Sequence, residues 1–307
     1  MKNSLNKFLR TILSLALTQN PGNSISSSMY IFKNKNKWIY RFIFGSTDDR
    51  DLFENIKAKL GGNFEILMVH SSLNAMLPMY CGEPRILLSL LINFCKERNI
   101  TLAMPSYFLG SNKKAKEHYS NGKNRFDAGT TISGMGLMTE IFRRMPDVRR
   151  SIHPTHSLCA LGPLADLLTS DHHIAETTFG EGTPFQKMIK HKTLILGIGT
   201  KIHQAMTQVH TAEDILKDEY PAQIISGTIQ VKCIDANGET INYNLRIRRP
   251  EFILDVKNVH KILKGKVSEW DHKGIHFILA EADVVTDTVI EAARKGNIIY
   301  KVAAPSN

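Results

Sequence analysis

Three short runs constrain the fold of this chain more than anything else in it: "FEILMVHSS" (64–72), "ITLAMPSY" (100–107) and "KTLILGIGT" (192–200). Each is almost unbroken in apolar residues for the length of a strand, a pattern expected when both faces of a sheet are covered. Between them lie segments with helical spacing. "DDRDLFENIKAKLG" (48–61) opens on acidic residues and ends on Gly61, the usual helix punctuation. "EPRILLSLLINFCKERN" (83–99), "MGLMTEIFRRM" (135–145), "GPLADLLTS" (162–170) and "TAEDILKDE" (211–219) also read as helices. This alternation predicts an α/β fold with a mixed central sheet and flanking helices. After Tyr220 the texture changes. "GTIQVKCIDANGETINYNLRIRR" (227–249) alternates with period two around Asn237-Gly238, which predicts an antiparallel subregion built on a hairpin. The end, "GIHFILAEADVVTDTVIEAARKG" (274–296), returns to strand and then helix.

With 307 residues the chain can bury a sizeable core. We place a basic extension at 1–45 and the main domain at 46–307. Within the extension "LNKFLRTILSLAL" has helical spacing, "NPGNSISSS" reads as a loop, and "WIYRFIFGS" reads as a short strand or buried connector. Nothing acidic precedes Asp48, whereas Lys2, Lys7, Arg10, Lys33, Lys35, Lys37 and Arg41 do. A basic amphipathic N-terminal helix suits a peripheral membrane contact or a docked position on the core. Its apolar run is too short for a signal peptide and no A-x-A site follows. No run reaches the roughly 18–20 apolar residues of a membrane span. Cys81, Cys95, Cys159 and Cys233 are scattered without a C-x-x-C pair, which fits a cytoplasmic protein with neither disulfides nor a zinc site.

The net charge of +10 favours anionic partners. No nucleic-acid motif is present, and aromatics are not interleaved with the basic runs, so nucleic acid is not the expected partner. "GIGTKI" lacks the third glycine of a dinucleotide fingerprint and reads as a tight strand exit. "MVHSSL" places His70, Ser71 and Ser72 where a buried strand ends, the usual location of ligand sites in α/β sheets. Histidines recur in "HPTHS", "DHHIA" and "VHTAED" without metal-ligand spacing, so no metal is expected. No G-x-S-x-G elbow is present, which argues against a serine hydrolase. What remains is proton chemistry: His210 and Glu213 share a face if they lie on one helical turn.

Read in order, "VHSSL" (69–73), "MPSY" (104–107), "FDAGTTISGMGLMTEIFRRMPDVRRSIHPTHSLCALGP" (126–163), "GEGTPF" (180–185), "LILGIG" (194–199) and "HTAED" (210–214) resemble the aminoglycoside 3-N-acetyltransferase family, also called antibiotic N-acetyltransferases. The resemblance runs from about Asp51 to near Tyr300. It implies acetyl-CoA as co-substrate, a primary amine on an amino sugar as acceptor, no metal, and a mixed α/β fold distinct from the GNAT acetyltransferases. A sugar ammonium must lose a proton before it attacks a thioester, and a neutral imidazole can take that proton. The resemblance points to His153, in R-S-x-H-P, as this base, with Glu213 and Asp127 as orienting carboxylates. His210 is a supporting group or the alternative base. Ser71, Ser72 and Leu73 would neighbour the CoA pyrophosphate, with Arg150 and Ser151 as further phosphate or pantetheine neighbours.

One segment departs from what a polycationic acceptor demands. "SNKKAKEHYSNGKNR" carries Lys113, Lys114, Lys116, Lys123 and Arg125 against Glu117. This predicts an anionic acceptor, such as a nucleotide-linked amino sugar, and a member without a resistance role. The alternatives are an aminoglycoside 3-N-acetyltransferase conferring resistance, and a CoA- or nucleic-acid-binding module without turnover. Neither the acceptor's identity nor the oligomeric state, a homodimer included, is set by the sequence.

Overall fold

The computed structural model describes residues 31–109, 112–120, 122 and 124–303; the N-terminal helix expected over residues 5–17 lies outside them. The central sheet has seven strands: β1 (Ile66–Ser71), β2 (Thr101–Pro105), β4 (Arg149–Arg150), β5 (Leu158–Leu161), β6 (Thr193–Ile198), β10 (Ser268–His272) and β11 (Ile275–Glu281). Their spatial order is β10-β11-β6-β1-β2-β5-β4. The three apolar runs form the middle of this sheet, β1 pairing in parallel with both β2 and β6. Antiparallel pairs close it on both sides, β2 with β5 and β6 with β11, so the sheet is mixed as expected. Ile66, Leu67, Met68 and Val69 are all buried, alternate residues feeding the apolar layers on opposite faces.

The helices follow the sequence punctuation. Asp48 caps α2 (Asp49–Leu60) by accepting from the Asp51 N–H, and Gly61 leaves the helix at φ +65°. Pro84 occupies the first turn of α3 (Pro84–Glu97), where its missing N–H costs nothing. Leu87, Leu88, Leu91, Phe94 and Cys95 form the buried stripe of α3 against the sheet.

A second sheet contains β3 (Arg125–Asp127), β7 (Ile225–Ile234) and β8 (Thr240–Arg248). The β7–β8 hairpin turns at Asn237-Gly238 as expected, with Gly238 at φ +86° and Asp235 Oδ1 accepting from the Asn237 and Glu239 N–H groups. A third pair joins β9 (Phe252–Leu254) to β12 (Tyr300–Val302).

One expectation fails. "WIYRFIF" is not a strand but a helix, α1 (Lys37–Phe44), which buries Tyr40 and leaves Trp38 and Phe42 70% and 89% exposed. Aromatic and β-branched content suggests a strand, but only Tyr40 is buried across the eight residues, without the period-two alternation of a strand.

Candidate active site

Of the cavities at the ends of these elements, two bear on the candidate residues. The larger, about 690 Å³, opens where the parallel strands end: His70 and Ser71 end β1, Ser72 and Leu73 follow it, Pro105 ends β2, and Thr200 follows β6. This is where open α/β sheets bind ligands. Its shape depends on Gly199, at φ +68°, because a Cβ there would come within 2.9 Å of the Ser72 carbonyl. The Ser72 N–H in turn donates to the Ile198 carbonyl at 2.9 Å. His70 is buried with Nδ1 unpartnered, and burial lowers its pKa to about 3, so it stays a neutral hydrogen-bonding group at the cavity edge.

The second cavity, about 140 Å³, is lined by Thr155, His156, Phe179, His210, Glu213, Asp214, Arg246 and Arg248 among others. Period-two geometry in β8 puts Arg246 and Arg248 on one face, over the helix Thr211–Leu216. Arg246 Nη1 donates to Asp214 Oδ1 at 2.9 Å and Arg248 Nη2 to Glu213 Oε1 at 2.8 Å. Burial alone would raise the Glu213 carboxyl, but Arg248, with His210, outweighs it and holds the pKa at about 2. Asp214, buried beside that charge, is pushed up to about 6. His210 faces Glu213 with Nδ1 3.7 Å from Oε1, and its ring stacks on Phe179 at 5.2 Å. The three-residue spacing does therefore set the pair on one face. The His210 side chain is 17% exposed.

The "RRSIHP" residues sit deeper. His153 is 0% exposed, its Nδ1 accepts the Thr155 and His156 N–H groups at 3.2 and 3.0 Å, and it does not line the His210 cavity. Burial, then neighbouring His172 and His156, pushes its pKa well below the usual value. Arg150 is a clamp: Nε donates to Ser157 Oγ, Nη1 to the Ala128 and Thr131 carbonyls, and Nη2 to the Ser106 carbonyl. Its guanidinium also stacks over Phe126 at 4.9 Å. Four of its five N–H donors are committed in this way, which leaves a single Nη2 hydrogen and no bidentate fork for a phosphate. The Ser151 hydroxyl is equally committed, donating to His172 Nδ1 at 2.9 Å while accepting the Leu158 N–H at 2.8 Å. His172 Nε2 points to the Thr178 carbonyl. Asp127 caps its own turn, Oδ1 accepting from the Gly129 and Thr130 N–H groups, away from both cavities.

The structure thus gathers Ser71, Ser72 and Leu73 at one cavity and His210 and Glu213 at the other. It puts His153, Asp127, Arg150 and Ser151 in the surrounding framework. Sequence reasoning missed His156, Tyr300, Arg246 and Arg248. The alternation of β8 was the available signal for the arginines; nothing local marks Tyr300. One apolar cluster borders both cavities: Met135, on the larger, packs against Tyr107, Phe179 and Phe185, and Phe179 lines the smaller. Among the described residues no group of three or more His, Cys, Asp or Glu is placed to hold a metal.

Comparison with known proteins bears on the fold and the family. The family model for aminoglycoside 3-N-acetyltransferase matches residues 68–283. The chain is 30% identical over 163 residues to aminoglycoside N(3)-acetyltransferase III of Serratia marcescens, covering 49% of this chain. That match spans 58% of the relative, and corresponding matches span 54% of the Salmonella and Enterobacter cloacae enzymes, so the chain covers little more than half the length of these relatives. AAC-VIa bound to sisomicin superposes with a TM-score of 0.65 at 21% identity, covering 82% of this chain and 99% of that one. AAC-IIIb in binary complex with CoASH superposes with a TM-score of 0.63 at 19% identity, over 85% and 99% of the two chains. These likenesses establish the same fold, and the extent of the family match establishes kinship: the chain belongs to the aminoglycoside 3-N-acetyltransferase family.

Proposed function

We propose that the protein transfers an acetyl group from acetyl-CoA to a primary amine of a cationic amino sugar, with His210 as general base. The observation that carries this reading is the placement of His210, a partly exposed imidazole on the smaller cavity facing a buried carboxylate. Of the other histidines nearby, His172 has both ring nitrogens in structural bonds, while His153 is fully buried, its Nδ1 taken by two backbone N–H groups and its Nε2 unpartnered but off the cavity lining. His156 does reach the cavity, but burial and then His210 lower its pKa to about 3, too weak a base for an amine proton.

The larger cavity suits the donor. Small residues at the β1 exit leave the backbone accessible, and the unpartnered His70 Nδ1 supplies a polar contact that an incoming amide or carbonyl can satisfy. Bound acetyl-CoA supplies an activated thioester carbonyl and leaves as the thiol. The chain's own work is then to hold the amine beside His210, to take one N–H proton at the imidazole as the new N–C bond forms, and to return it to the departing sulfur. Glu213, ionised because of Arg248, stabilises the imidazolium formed in between.

Charge around the smaller cavity supports a cationic acceptor. Its lining and that of the two neighbouring cavities together include Asp171, Glu176, Glu181, Glu213, Asp214 and Asp218 against Lys217, Arg246 and Arg248. An acidic rim on a chain of net charge +10 is a local field suited to an ammonium-bearing sugar. The anionic, nucleotide-linked acceptor expected from the basic segment remains the second reading. It is favoured by the Tyr119 hydroxyl donating to the Pro154 carbonyl at 3.1 Å, which fixes that segment's helix (Asn112–Tyr119) beside the histidine loop. Thiol release from acetyl-CoA with both acceptor classes tests the two. On the first reading Glu176→Gln and Glu181→Gln raise the KM for aminoglycosides; on the second Lys116→Gln raises the KM for nucleotide sugars.

A further inference from the structure

The group in direct contact with His210 is not Glu213. Nδ1 lies 2.7 Å from the Tyr300 hydroxyl, whereas 3.7 Å to Glu213 Oε1 exceeds hydrogen-bond reach. Tyr300 begins β12, beyond the residues the family model matches. Its ring packs against two groups, the Arg248 guanidinium 4.6 Å from its centroid and the His210 ring stacked at 5.9 Å. Glu213 spends Oε1 on Arg248, while Oε2 is buried without a hydrogen-bond partner. The Tyr300 hydroxyl is nevertheless close enough to be among the groups that hold the Glu213 carboxyl down.

We infer that Tyr300 is a positioning residue that sets the tautomer of His210, its hydroxyl donating to the Glu213 carboxylate and accepting from His210 Nδ1–H, so that the Nε2 lone pair is left for the acceptor amine. The inference rests on His210 being the base. A phenol has one proton and here two candidate acceptors, an imidazole nitrogen and an ionised carboxylate with a bare buried oxygen. The carboxylate is the stronger acceptor, and leaving it unpaired in the interior costs more than leaving a neutral nitrogen to act as donor. With the phenol proton directed to Glu213, the short contact to Nδ1 is a hydrogen bond only if Nδ1 carries the hydrogen. The reverse arrangement would put the hydrogen on Nε2, and His210 could then accept no proton from an amine. Burial, reinforced by Glu213, raises the Tyr300 pKa well above its usual value, so the hydroxyl keeps its proton throughout the cycle. No proton passes along the chain; only Nε2 gains and loses one.

The charged and titratable groups around His210 come from several elements: Glu213 and Asp214 from the helix that follows it, Arg246 and Arg248 from β8, His156 from the loop after β4, and Tyr300 from β12. A pH profile alone would mix them, so the tautomer is read directly. Full-length protein labelled with ¹⁵N-histidine is examined by long-range ¹H–¹⁵N correlation, with His210 assigned by loss of its signals in His210→Gln. The neutral ring is expected as the Nδ1–H form in the wild type. In Tyr300→Phe, which keeps the ring stack, it shifts toward Nε2–H and kcat falls about 10²-fold with the acetyl-CoA KM unchanged. An Nε2–H wild-type ring overturns the inference, as does a Tyr300→Phe protein that keeps both tautomer and kcat. If no amine is acetylated at all, the reading of the reaction fails, while the wild-type spectrum still decides the tautomer.

Discussion

His153 and His210 face opposite demands. The His153 ring accepts two backbone N–H groups in a fully buried loop, so His153→Ala leaves both donors bare at about 1–3 kcal/mol each. Chemical denaturation should show a loss of a few kcal/mol for that variant. His210→Ala, at a partly exposed position, should keep its midpoint near wild type while kcat drops by roughly 10²–10⁴. Arg150 makes a parallel case: with its donors on the Ala128, Thr131 and Ser106 carbonyls, Arg150→Gln should lower stability and leave CoA affinity unchanged in the folded fraction, as calorimetric titration would show. The H-x-x-E spacing was legible because three residues along a helical turn is a fixed geometry. The burial of His153 in R-S-x-H-P was not, because the order of residues does not say whether an imidazole meets solvent or its own loop's amides. Tyr300 was invisible for a related reason, lying 90 residues from His210 in sequence.

At the scale of elements, the apolar runs and their punctuation were enough to place the central strands and main helices, since burial on two faces leaves little choice of residue. The β10–β11 hairpin was not foreseen. Its turn is Lys273-Gly274, both at positive φ (+43° and +76°), the backbone of a tight hairpin without the Asn-Gly or Asp-Gly that usually marks one. The strand exit at Gly199 was legible as a turn, though not what it leans on. Gly199→Ala forces a side chain into left-handed backbone and against the Ser72 carbonyl. It should cost at least about 1–2 kcal/mol of stability and, by displacing the Ser71-Ser72 exit, weaken CoA binding more than acceptor binding. Calorimetric titration with CoA measures this; unchanged affinity would separate the larger cavity from the donor.

The whole molecule carries a pH dependence that no single site reveals. His70, His156 and His172 are held at pKa values of about 3 by burial, and His153 is lowered in the same direction. In the unfolded chain each would take up a proton near pH 6.5. Their contribution to stability is therefore fully present above about pH 6.5 and is lost as pH falls toward about 3, each adding up to about 1.4 kcal/mol per pH unit to the slope. Asp214 acts in the other direction. With a folded pKa of about 6 its contribution is lost as pH rises through that value, so on acidification it offsets about one histidine. Thermal melts should show the midpoint falling steeply from pH 6.5 to 4.5. A midpoint flat over that range would mean that the histidine cluster is solvated or already protonated in the fold.

On the proposed function, His210 and not His153 moves the proton in acetyl transfer to a cationic amino sugar. The most direct measurement is thiol release from acetyl-CoA by wild type, His210→Ala and His153→Ala, with gentamicin, sisomicin and a nucleotide-linked amino sugar as acceptors and the folded fraction of each variant measured in parallel. Expected are turnover on the aminoglycosides, a kcat at least about 10²-fold lower in His210→Ala, and near-normal kcat per folded molecule in His153→Ala. Full turnover by His210→Ala, or activity confined to the nucleotide sugar, would contradict the proposed function.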